Sequence, residues 1–225
     1  AINSNLGIDD KLVDRFIDKI NKISDEDRVK EFIIFTSVDT WGKQAEYIRT
    51  GLEFNRFWDN LNKILTKCPR VNITVMGTYG LLSVPNYIKL IDGIYDLKQE
   101  YGTSDRYWAS AVFLDSSYLR YPWHQSVQLL QDKKWKDTVL EQSKLMFFQG
   151  VPIFDHNYIG YSDIEIQKVK RIYDWMNADV DPKHLKMSMQ NFYRYFNAHD
   201  ERRNTNFLQT FPELEEFYYK CKSLC

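Results

Sequence analysis

Four apolar or β-branched runs begin near residues 2, 32, 71 and 110, and one helix-length amphipathic stretch separates each from the next. The strongest is Phe32-Ile33-Ile34-Phe35-Thr36-Ser37-Val38, a continuous run of the kind that fills a strand covered on both faces. Strands are expected at 2–5, 32–38, 71–76 and 109–114. Between them, Leu12, Val13, Phe16, Ile17 and Ile20 share a helical face behind an N-cap at Asp9 or Asp10. Phe57, Trp58, Leu61, Ile64 and Leu65 repeat that spacing. Leu90, Ile91, Ile94 and Leu97 do so again after a start signal at Ser83 and Pro85. Parallel neighbours need a crossover, so successive βα units of this length imply a parallel sheet with helices on its face.

After Asp115 the alternation stops. Ser126 to Leu130 reads as a short extension strand. Helices are expected at about 132–148, 162–177, 182–199 and 212–223, the second opened by a Ser162/Glu165 capping box. The stretch 150–160 reads as a linker. The fold class is therefore α/β: a partial (β/α) barrel with parallel strands over 1–150, followed by a mostly helical region over 151–225. Right-handed crossovers would set all three intervening helices on one face of the sheet. The other face is then bare unless the C-terminal helices cover it or further strands precede this chain. The expectation is the second, the later part of a longer barrel protein.

Composition narrows the function classes. With 30 Lys and Arg against 31 Asp and Glu, the net charge is -1 and no basic field exists to gather nucleic acid. No apolar run approaches the ~18 residues of a membrane span. Three cysteines make a poor disulfide framework and suit a reducing, cytoplasmic compartment.

Ligands of parallel α/β folds meet the carboxyl ends of the strands. There the sequence places Asn3-Ser4-Asn5, then Ser37-Val38-Asp39, then Thr78, then Asp115-Ser116-Ser117. Adjacent amides, hydroxyls and carboxylates suit ribose hydroxyls and an amino-acid zwitterion. Arg49 lies far enough downstream to fold back and hold a carboxylate bidentately. A polar residue at one strand end usually only caps a turn, but four consecutive strands so equipped point to a ligand site.

Ile2-Asn3-Ser4-Asn5 resembles the third-strand T-N-G segment of radical S-adenosylmethionine enzymes. Ser37-Val38-Asp39, followed by Glu46-Tyr47-Ile48-Arg49-Thr50-Gly51 and Phe54, resembles their fourth-strand S-x-D with its downstream I-R-G signature. Asp200-Glu201-Arg202-Arg203-Asn204 through Phe211-Pro212-Glu213-Leu214 resembles their twitch-type C-terminal extension. The resemblance implies a partial barrel that holds a [4Fe-4S] cluster and S-adenosylmethionine. The cofactor's cleavage there yields a 5′-deoxyadenosyl radical that abstracts a substrate hydrogen, with a peptide or protein among the substrate classes. By position, Ser37 and Arg49 would contact the methionyl carboxylate, Asp39 and Asn5 would line the ribose side, and Thr78 would complete the pocket. The family's C-x3-C-x2-C cluster motif and its G-G-E-P segment are both absent. As it stands, the chain is expected to be inactive, with no catalytic or metal-ligating residue of its own.

Other features carry less. Cys221 and Cys225 share a helical face, but two thiols do not make a cluster site. His124, His156, His184 and His199 are scattered and read as surface or cap residues. The aromatic loop 118–124 suits either a substrate platform with Arg120 as anion clamp or packing beneath the C-terminal helices. The basic and aromatic stretch 183–203 reads as a solvated amphipathic helix. Two further readings stand beside the radical enzyme. One is a non-catalytic binding or partner module on a barrel scaffold. The other is a barrel lyase using Asp39 or Asp115 as base, which lacks a strand-end lysine for Schiff-base chemistry.

Overall fold

The computed structural model describes residues 1–103, 106, 108–150 and 159–225. Among the described residues there are four strands, β1 (Ile2–Asn3), β2 (Phe32–Ser37), β3 (Val71–Tyr79) and β4 (Val112–Tyr118). They form one sheet in the order β1-β2-β3-β4, every pair parallel. Helices α1 (Asp10–Asp25), α2 (Gly42–Ile48), α3 (Phe54–Lys67) and α4 (Tyr87–Tyr101) fill the connections. The remainder is helical: α5 (Lys133–Phe148), α6 (Asp163–Met176), α7 (Pro182–Arg203), α8 (Phe207–Thr210) and α9 (Glu215–Ser223). Among the described residues, no helix is long and apolar enough to cross a membrane.

The register assigns each strand residue to a face. Ile34, Ile73 and Val112 lie in one row, with Thr36, Val75 and Leu114 in the next, and all six are buried. Against them pack Val13, Ile17 and Ile20 of α1, Phe57, Leu61 and Ile64 of α3, and Leu90, Ile91 and Ile94 of α4. Gly93 lets α4 pack against the Trp41 and Trp58 rings, because a Cβ there would fall 2.5 Å from the Trp41 ring. The opposite face carries Ile33, Phe35, Met76 and Phe113, which are half-buried, beside the smaller Asn72 and Thr74, which are buried. One-sided helix coverage, expected from the crossovers, is what the structure has.

The two long edges of the sheet differ. Among the described residues β1, at one edge, pairs only with β2. Beside β4 two of the outward backbone groups, the Val112 carbonyl and the Leu114 amide, are taken by side chains. Lys98 Nζ donates to the Val112 carbonyl at 2.6 Å, and Glu165 Oε1 accepts from the Leu114 amide at 2.7 Å. The two side chains pair at 3.0 Å with about 1% exposure each. The Ser162/Glu165 capping box forms as the spacing predicts, so this glutamate caps α6 and closes the strand edge together.

Several expectations need correction. The strand expected from Ser126 to Leu130 is a 3-10 turn over Val127–Leu129, because Ser126 Oγ accepts the Gln128 amide and starts a turn instead. The strand expected at 109–114 runs over Val112–Tyr118: Ala111 adopts φ +58° and breaks the extension there. The one expected at 71–76 continues to Tyr79, and the one at 2–5 shortens to two residues before Leu6 turns at φ +51°. Helix α2 was not expected. The helix expected after Ser83 and Pro85 begins at Tyr87, behind a 3-10 turn over Leu81–Ser83, and that of 212–223 divides into a 3-10 turn and α9. Of the expected linker 150–160, and of His156, residues 151–158 lie outside the described residues.

Candidate functional site

β2 carries its polar residues to the carboxyl end of the sheet. Asp39, just past the strand, is buried and holds three donors. Arg49 Nε reaches its Oδ2 at 2.6 Å, Arg49 Nη2 its Oδ1 at 3.0 Å, and the Thr78 amide the same Oδ1 at 2.7 Å. Arg49 is the C-cap of α2, so the returning helix brings the guanidinium back over the strand end. The pair binds the ends of β2, α2 and β3 into one bracket. Two of the five guanidinium N–H donors are used, and the Arg49 side chain keeps 35% exposure against 6% for Asp39.

The other expected residues are distributed around that bracket. Ser37 is half-buried on the open face, in register with Met76 of β3 and so with Asp115 of β4. Thr78 is exposed and in register with Ser117. Among the described residues, neither the Ser37 nor the Thr78 hydroxyl has a hydrogen-bond partner. Asn5 is exposed and accepts the Gly7 amide at 3.1 Å, shaping the turn after β1. The structure therefore brings Asp39, Arg49 and Thr78 into contact, sets Ser37 on the same rim, and leaves Asn5 at the edge strand's end.

The C-terminal helices reach this end as well. Gln44 of α2 donates to the Thr210 carbonyl and to Glu213 at 3.1 Å each, and Tyr47 donates to Asp200 at 2.8 Å. Asp200 in turn accepts the Phe207 amide at 2.7 Å, which turns the chain from α7 into α8. Burial and the neighbouring Asp200 carboxylate raise the Tyr47 phenol well above its usual range. The loop 118–124 packs beneath the C-terminal helices: Tyr118 and Trp123 lie 5.3 and 6.2 Å from Trp175, and His184 meets Trp123 edge-on. His124, His184 and His199 are thus half-buried ring partners rather than free surface groups.

Two residues that the sequence did not single out, Lys168 and Arg171, join the strand-end residues Asp115–Ser117 and Arg120 at the end of β4. Lys168 of α6 crosses to Asp115 at 2.5 Å and lies over the Phe113 ring. With Arg120, Arg171, Ser116, Ser117 and Tyr118 it lines a cleft of about 260 Å³. Lys168 and Arg171 are three apart on α6 and so share a face, but they stand some fifty residues from β4. No local spacing links helix and strand.

The cysteines do not suit an iron–sulfur cluster. Cys68 closes α3 and its carbonyl accepts the Val71 amide, which sets it at the amino end of β3, away from the rim. Burial pushes its thiol up to about 11 and that of Cys221 to about 12, opposite to the thiolate an iron needs. No group of three or more metal-ligating residues gathers among those described.

No protein-family model matches the chain, and no curated protein or solved structure matches it significantly.

Proposed function

We propose that this chain is the later part of a radical S-adenosylmethionine enzyme, a partial barrel whose open sheet face is the interior wall. On this reading its carboxyl rim receives the cofactor's amino-acid and ribose portions, and the [4Fe-4S] ligands come from residues outside it. The observation that supports the reading is the sequential parallel sheet with helices on one face and Ser37, Thr78 and the Asp39–Arg49 bracket at its carboxyl end. Arg49 would turn its free N–H groups to the methionyl carboxylate. Ser37 and Thr78 would offer hydroxyls, and Asp39 would hold Arg49 in place rather than bind ribose alone. The chain supplies no cluster site, so the radical-forming step is not built from its residues. The substrate, with a peptide as one class, would meet the open face.

Titration of isotope-labelled protein with S-adenosylmethionine tests this. Amide signals of Ser37, Thr78 and Arg49 should shift together, and Arg49→Ala should weaken binding by at least tenfold. Shifts confined to the amino end of the sheet, or none, would overturn it. The chain reconstituted with iron and sulfide should release no 5′-deoxyadenosine. A second reading, a non-catalytic binding module on a barrel scaffold, draws on the wide separation of Cys68 from the rim. Cofactor binding without any cleavage, even when the cluster-bearing strands are supplied, would select it.

A further inference from the structure

We infer that the cleft between the carboxyl end of β4 and α6 binds a phosphate monoester. The inference stands apart from the cofactor reading, because it uses none of the rim residues assigned there.

The lining of the cleft, about 260 Å³, contains Arg120, Lys168 and Arg171 and no carboxylate. A cleft of that size holds several waters, or a phosphoryl group on a small body. Arg120 is held in place from below: its guanidinium stacks over Tyr118 at 5.0 Å and Trp175 at 5.8 Å, and it donates to the Tyr118 hydroxyl at 2.6 Å. Arg171 has no carboxylate partner among the described residues, although it stands exposed beside two other cations. The three cations thus share one cleft with a single carboxylate partner between them, that of Lys168.

Charge and donor count select the ligand. Asp115 offsets Lys168 at 2.5 Å, so three cations less one carboxylate leave a local charge of about +2. That matches a dianion better than a carboxylate's single charge. Donors match too. Two guanidinium forks suit the terminal oxygens of phosphate, and the Ser117 hydroxyl is unengaged among the described residues. The backbone contributes further. Strand alternation points the Ser116 amide away from β3, on the same side as the Leu114 amide that Glu165 takes. Ser116's own hydroxyl is committed to Tyr87 at 2.5 Å, which fixes the strand at the cleft floor.

Calorimetric titration with inorganic phosphate at pH 7.5 and constant ionic strength tests the inference, since the second phosphate ionisation lies near ~6. Saturable binding is expected, weakened at least tenfold by Arg171→Ala, with Arg171→Lys recovering part of the loss. Arg171 is exposed, so its replacement should leave the unfolding midpoint in place. Arg28→Ala, at a remote surface pair, should leave phosphate binding unchanged. Absence of saturable binding, equal loss in the Arg28 variant, or acetate binding as tightly as phosphate would each overturn the assignment.

Discussion

Two ion pairs sit at the borders of the same sheet and do different things. Lys98–Glu165 closes the outer edge of β4, with both side chains about 1% exposed and bonded to each other, to the Val112 carbonyl and to the Leu114 amide. Asp39–Arg49 sits at the carboxyl rim, half open, with unused donors on the arginine. A buried pair completes a structure, whereas a pair with one exposed member and spare hydrogen-bonding capacity can exchange partners. Burial, more than charge, separates the two.

The largest effect should come from opening the closed edge. Glu165→Ala strands the Lys98 ammonium and the Leu114 amide, and about 3–5 kcal/mol of stability should be lost in urea unfolding. Glu165→Gln, which keeps an acceptor for Leu114, should cost less. A loss below about 1 kcal/mol for the alanine variant would remove the contrast between the two borders.

Arg49→Ala comes next. It leaves Asp39 with only the Thr78 amide, and about 1.5–3 kcal/mol should be lost in the same assay. A loss equal to that of Glu165→Ala would mean that the rim pair is as fully committed as the buried one.

The amino end offers a pH test. An unfolded thiol ionises near 9, whereas burial holds the Cys68 proton to about 11. Between those values the unfolded state releases protons first, so stability falls as pH rises. Cys68→Ala should make that decline shallower between pH 9 and 11, and an unchanged slope would exclude Cys68 as its source. The smallest effects belong to Ser37→Ala and Thr78→Val. With no side-chain partners among the described residues, each should change stability by no more than about 0.5 kcal/mol. A larger loss would show that the rim hydroxyls are structural.

What could be read from the sequence follows the range of the interactions involved. β2 and the core of β3 were legible because apolar, β-branched runs depend only on local pattern. β4 slipped by three residues: its second half, Asp115-Ser116-Ser117-Tyr118, is polar, and Ser116 lies in the core only because Tyr87 of α4 meets its hydroxyl. Helix α2, seven residues without a side-chain cap, left no periodic signal long enough to find. Of the site, the return of Arg49 to Asp39 follows from a ten-residue spacing across one short helix. The meeting of Lys168 with Asp115 spans 53 residues and depends on how α6 docks against β4, which no pattern in either segment announces.

The seal beside β4 also gives the sheet a direction of growth. Since Lys98 and Glu165 take the Val112 carbonyl and the Leu114 amide, no strand can be added there without displacing a buried ion pair. Among the described residues β1 has no such cover, so an additional strand would join more easily on that side. The sheet is a ladder with one finished end. Insertions and fusions engineered into it should therefore be tolerated unequally, readily ahead of β1 and poorly after β4.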